Sequence, residues 1–187
     1  GYYVVGGCGG NIAWHTETDT FEIADKDVLA KDIALYLEAV TTVANADILP
    51  MDWRATATEF DATIAEYQAA AGDRFDLQPA AAAAKGLSNT LDKFYEAVDA
   101  GHIPADRANP ILQGLARILV PINYTRGPRF THDPALNVPP LPAIAEAAGL
   151  DGVPPDQMGF VQTQLLRGRN RVVAALREAT RLIETAL

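Results

Sequence analysis

The chain has 187 residues, enough to bury one sizeable core, and its 49% hydrophobic and 21% charged composition is that of a globular protein. A net charge of -9 argues against nucleic-acid binding, which needs a basic face to displace counterions. The single cysteine, Cys8, excludes an intrachain disulfide framework and a multi-cysteine zinc site, and no apolar run is long enough to span a bilayer.

Tyr2-Tyr3-Val4-Val5 is aromatic and β-branched, and reads as a short buried strand from a larger sheet. It is too short and lacks the basic flank of a signal peptide. A lone strand has no sheet to join in this chain, so the expectation is a boundary cut into a longer protein. Gly6-Gly7-Cys8-Gly9-Gly10 follows, where backbone can approach closely. Gly6-x-Cys8-x-Gly10 formally matches a nucleophile elbow with cysteine for serine, but no helical pattern continues it. A small, buried or half-buried thiol is the plainer reading. Ile12 stands where a dinucleotide fingerprint requires glycine.

Next comes Trp14-His15-Thr16-Glu17-Thr18-Asp19-Thr20. A neutral imidazole at the end of a glycine-rich loop is well placed to bind zinc, and Glu17 and Asp19 could orient it. The plainer reading is a polar loop histidine, since there is no second histidine at i+4 and no His-Glu-x-x-His. His102 and His132 read first as loop residues.

From residue 26 the pattern becomes helical. Asp25 or Asp27 caps a first helix that begins near Val28, with Leu29, Ile33, Leu37, Val40 and Ala44 as its stripe and Pro50 as its stop. Asp52 caps a second helix with Phe60, Ile64, Tyr67 and Ala71 inward, ending at Gly72. A third is predicted from about Pro79 to Ala100, with Leu87, Leu91, Phe94 and Val98 as its stripe and Gly101 as its end. The alanines from Ala80 to Ala84 form a closely packed helical turn. A fourth starts with Pro104 in its first turn and carries Ile111, Leu115, Ile118 and Ile122, with Pro110 shifting its start or kinking it.

From Asn123 to Pro155, seven prolines fall in 33 residues, a long connection of the kind that serves function or an interface. A short helix, Ala143 to Ala148, sits within it. Arg126, Arg129 and His132 read as a solvated loop or as one reaching another domain or subunit. The last helix begins near Pro155 or Asp156 and runs to the end. Phe160, Leu165, Val172, Leu176, Ile183 and Leu187 are its expected buried face, and Arg167, Arg169, Arg171, Arg177 and Arg181 its solvated one. The expected fold is all-α, an antiparallel helical bundle at residues 26–187, preceded at 1–25 by a short strand and loop remnant of an α/β domain.

Trp14 to Phe21 resembles the last metal-binding motif of the co-catalytic di-zinc aminopeptidases: an apolar residue, His-Thr, and a short gap to Asp-Thr. Ile48-Leu49-Pro50-Met51-Asp52-Trp53-Arg54 is similar to the start of the second helix in the glutamate carboxypeptidase II and transferrin-receptor branch of that family. The proline-rich loop from Asn123 to Pro142, the Leu141-Pro142-Ala143-Ile144 segment and the long final helix resemble that branch's helical dimerisation domain. The resemblance covers the whole chain. It implies that His15 is a zinc ligand, that Trp14 lies beside a peptide substrate, and that Cys8 to Asn11, with Gly9 and Gly10, line the pocket. It implies two zinc ions per parent subunit, a homodimer formed through the helices, and an upstream peptidase domain holding the remaining ligands and the general base. This chain then carries no catalytic residue of its own and is inactive alone. Some members of the branch have lost the metal and act as receptors; the retained histidine favours an active parent. Near Ala135-Leu136-Asn137 the chain lacks the lysine-tyrosine pair that reads acidic substrates in the carboxypeptidase relatives, so acidic-substrate specificity is not expected. The competing expectation is a non-enzymatic helical interaction module in which residues 1–25 are only a tail.

Overall fold

The computed structural model describes residues 13, 15–128, 130–132 and 138–187. The expected strand at Tyr2-Val5, the glycine run, Cys8 and Trp14 lie outside the described residues. Among those described every regular element is helical. They divide into two compact units, one up to Pro50 and the other from Met51 onward. This division groups the first long helix with the segment that precedes it.

In the first unit, α1 spans Lys26–Asn45. Asp25 is its cap: the Asp25 carboxylate accepts hydrogen bonds from the backbone N–H groups of Asp27 at 2.9 Å and Val28 at 3.1 Å. The helix ends five residues before Pro50, so the proline follows its end and does not cause it. The predicted stripe of Leu29, Ile33, Leu37 and Val40 lies along this helix, and the first unit itself buries none of the four.

The second unit is built from four helices: α2 (Arg54–Ala71), α3 (Gln78–Asp99), α4 (Ala105–Tyr124) and α5 (Met158–Glu184). Helix α3 packs between α2 and α5, and α4 packs on α5. The α2 stripe Phe60, Ile64, Tyr67 and Ala71 is buried, as are Leu87, Leu91 and Phe94 of α3. Ala80, Ala83 and Ala84 are buried too, so the alanine run is a close-packed face. Gly72 and Gly101 end their helices with φ of 57° and 73°, a region open to glycine at little steric cost.

Several expectations are corrected. Trp53, not Asp52, occupies the cap position of α2. The Asp52 carboxylate instead accepts from the Arg54 backbone N–H at 2.9 Å and pairs with its guanidinium at 2.6 Å. Pro104 is the residue before α4 rather than in its first turn. Pro110 lies near the helix start, and Pro121 is accommodated in the last turn, where its carbonyl accepts the Thr125 N–H and hydroxyl. Ile118 and Val98 are only half-buried. The short helix is a 3-10 segment at Ala145–Gly152. On α5, Leu165, Val172, Leu176 and Ile183 are buried, but Phe160 is 78% exposed and Leu187 54% exposed. Both lie at the ends of the stripe, where no neighbouring helix covers the periodic face.

Candidate functional site

The His15 segment is a compact polar turn. Thr16 donates its backbone N–H at 2.9 Å and its hydroxyl at 2.7 Å to the Ala13 carbonyl. The Thr16 hydroxyl oxygen also accepts the Thr18 N–H at 3.2 Å and lies 2.7 Å from the Thr18 hydroxyl. The Asp19 N–H returns to the Thr16 carbonyl at 3.1 Å. These local bonds are the alternative to regular structure that threonine and aspartate favour. They hold His15 at φ 63°, a left-handed backbone that histidine adopts more readily than bulkier residues. His15, Glu17 and Asp19 are all exposed. Just beyond the turn, the Thr20 side chain hydrogen-bonds the Glu22 carboxylate and holds its pKa below the usual carboxylate range.

Zinc needs three or four nitrogen, sulfur or oxygen donors converging at about 2 Å. Among the described residues no three His, Cys, Asp or Glu side chains converge in that way. The turn presents one exposed imidazole. Gly9, Gly10 and Trp14, the implied substrate-contacting positions, lie outside the described residues, as does Arg129 of the proline-rich loop.

The segment Met51-Asp52-Trp53-Arg54 fixes how the chain enters α2. The Tyr95 hydroxyl donates to the Met51 carbonyl at 2.7 Å and accepts the Trp53 N–H at 2.9 Å. The Trp53 indole N–H reaches the Leu112 carbonyl at 3.2 Å, and the Arg54 guanidinium stacks 4.6 Å from the centre of the Tyr95 ring. Burial raises the Tyr95 pKa. Sequence periodicity marks none of this, because Tyr95 lies one position beyond Phe94 and off the apolar stripe that continues to Val98.

The far end of the proline-rich connection is anchored in the same manner. Asn123, buried at the end of α4, accepts the Leu141 N–H at 3.1 Å and donates to the Glu59 carboxylate at 3.4 Å. The Tyr67 hydroxyl donates to the Pro140 carbonyl at 2.8 Å. Leu141 and Ile144 are then fully buried. Two arginines expected to be solvated are half-buried. Arg169 donates to the Asp76 carbonyl at 2.8 Å and lies 5.5 Å from the Phe75 ring centre. Arg171 donates to the Arg126 carbonyl at 2.8 Å and the Thr125 hydroxyl at 2.9 Å. Beside Arg171 lies a cavity of about 660 Å³ within the second unit, walled by the loop and by α5.

No helix among the described residues is long and apolar enough to cross a membrane. No family model, curated protein or solved structure matches the chain.

Proposed function

We propose that the chain is the C-terminal portion of a zinc-dependent metallopeptidase of the aminopeptidase type. In this reading it supplies His15 as one zinc ligand, and its helices serve dimerisation and closure of the pocket. The observation that carries the proposal is the sequence His15-Thr16-x-x-Asp19-Thr20 on an exposed turn, followed by α1 and then the Met51-Asp52-Trp53-Arg54 entry to α2. The exposed stripe Leu29, Ile33, Leu37 and Val40 supports the same reading, since an apolar helix face of that length is ordinarily covered by a folded partner. An upstream α/β domain is the expected cover. Two zincs in the complete enzyme would supply an activated water and polarise the scissile carbonyl. This chain's contribution is to present one exposed imidazole on a hydrogen-bonded turn.

The test is made in the full-length parent. His15→Ala should lower bound zinc and abolish hydrolysis of aminoacyl substrates, and His15→Ala with full activity would remove the assignment. A second reading, a non-enzymatic helical module, is favoured by one observation: residues from Met51 onward form a compact unit of their own. An unrelated domain or a membrane anchor upstream of Gly1 would support that reading instead.

A further inference from the structure

Helices α4 and α5 leave an open groove along their seam. They run antiparallel: the Arg107 guanidinium near the start of α4 donates to the Thr185 carbonyl at 3.1 Å, and Arg171, midway along α5, donates to the Pro121 carbonyl near the end of α4 at 3.4 Å. Between those points the groove holds about 450 Å³, walled by Gly114, Arg117 and Ile118 of α4 and by Glu178, Arg181 and Leu182 of α5. Arg117, Ile118 and Glu178 also wall an adjoining hollow of about 740 Å³, so the groove continues toward Pro121 and Ala174. From Ala174 to Thr185 its α5 wall is roughly 16 Å long at the helical rise per residue, about three turns of a guest helix.

The floor of this groove is apolar and both of its rims are charged. Ile118 and Leu182 are half-buried, and Leu182 lies over Gly114, where an added Cβ would stand 2.6 Å from its Cδ2. Ala174, farther along, is exposed and small, which lets a guest backbone come close. Arg117 stands on the α4 rim and Arg181 on the α5 rim, both exposed. Among the described residues ion pairs join Asp52 to Arg54, Asp151 to Arg74 and Asp76 to Arg169, and none takes Arg117, Arg181 or Glu178. Glu178 is the one carboxylate on the described lining, so two cations against one anion leave this groove at +1 in a chain of -9. An apolar floor between two guanidinium rims complements a helix whose apolar stripe has carboxylates on both flanks.

We infer that the α4–α5 groove is a docking site for an acidic amphipathic helix of another protein, seated on Ile118 and Leu182 and held at its flanks by Arg117 and Arg181. The groove lies wholly within the second unit and stands or falls independently of the peptidase reading. The experiment titrates the 187-residue chain into a fluorescent synthetic peptide of about 18 residues, long enough to be helical. The peptide is built from leucine, alanine and glutamate, with leucines at i, i+3, i+4 and i+7 and glutamates on both flanks; a second peptide carries lysine for every glutamate. Binding is followed by anisotropy and by amide chemical shifts. Saturable binding of the glutamate peptide is expected, with the largest shifts at Gly114, Ile118 and Leu182. Arg117→Ala and Arg181→Ala should each weaken it roughly two- to fivefold. Arg167→Ala, also exposed on α5 but away from this groove, should leave it unchanged. Arg117→Glu combined with Arg181→Glu should move the preference at these positions to the lysine peptide. Absence of saturable binding of the glutamate peptide overturns the site, as do equal shifts at these positions with the lysine peptide. Equal weakening by Arg167→Ala overturns it too, as diffuse attraction to a basic helix. A dimer in light scattering that Arg117→Glu breaks, in a chain that takes no peptide, overturns it in favour of a second copy.

Discussion

Gly168→Ala is the sharpest structural test of how α5 meets the proline-rich loop. An added Cβ would lie 1.9 Å from the Ala143 carbonyl oxygen and 2.8 Å from its carbon, both backbone atoms that cannot swing aside. Helix propensity alone would favour alanine by about 1 kcal/mol. Separating the methyl from the carbonyl requires the loop or the helix to shift by more than 1 Å. Overpacking of that kind costs roughly 1–3 kcal/mol and sometimes more. Because the clash is with backbone, the cost lies at the upper end of that range, and with the propensity gain subtracted a net loss of about 2 kcal/mol is expected. For a domain of this size that is a fall in Tm of roughly 4–8 °C. Two further glycines calibrate the result. Gly86, inside α3, has nothing within 4 Å of the point where a Cβ would stand, so Gly86→Ala should raise stability by about 0.5–1 kcal/mol. Gly114→Ala meets only the tip of Leu182 at 2.6 Å, a side chain that can turn, and should fall between the two. The assay is thermal and urea unfolding followed by circular dichroism at 222 nm. A Gly168→Ala chain as stable as the original would refute the packing described for α5.

Asn123→Ala should cost about 1–3 kcal/mol by leaving the Leu141 N–H buried without its acceptor, read as a lower urea midpoint. Phe94→Ala, at a fully buried position, should cost about 3–5 kcal/mol in the same assay, and a cost under about 1 kcal/mol would place Phe94 outside the core. Burial raises the pKa values of Tyr95 and Tyr67, so the unfolded chain ionises these phenols first as pH climbs. Their contribution is therefore fully present below about pH 10 and is lost as pH rises through the folded-state values. The urea midpoint should fall above about pH 10, and Tyr95→Phe should make that fall shallower while lowering stability at neutral pH.

The helical nature of the chain is legible because its apolar stripes have the right period, and for α2 and α3 that period picks out the inward residues with Val98 as the exception. Periodicity fails at the ends of elements: Phe160 and Leu187 continue the α5 stripe past the helices that could cover it. It also ignores polar side chains that act across long sequence separations. Tyr95 holding Met51 and Trp53, Tyr67 holding Pro140, and Asn123 holding Leu141 each join residues 18 to 73 positions apart, and no local spacing announces them. Charge on an outer helix face is usually solvated, which is why the sequence misplaces Arg169 and Arg171; here loop carbonyls lie within reach of their guanidiniums. A buried asparagine directly after an apolar stripe, followed by a proline-rich run, is the one signal in the sequence that marks the loop's anchor. For the His15 turn, the threonine-rich composition announces a hydrogen-bonded turn.

The measurement that bears most directly on the central claim is the zinc content and peptidase activity of the full-length parent, with and without His15→Ala. About two zincs per subunit are expected, with zinc and activity both falling in the variant. Unchanged zinc and full activity in the variant would contradict it and leave the helical unit as the chain's functional part.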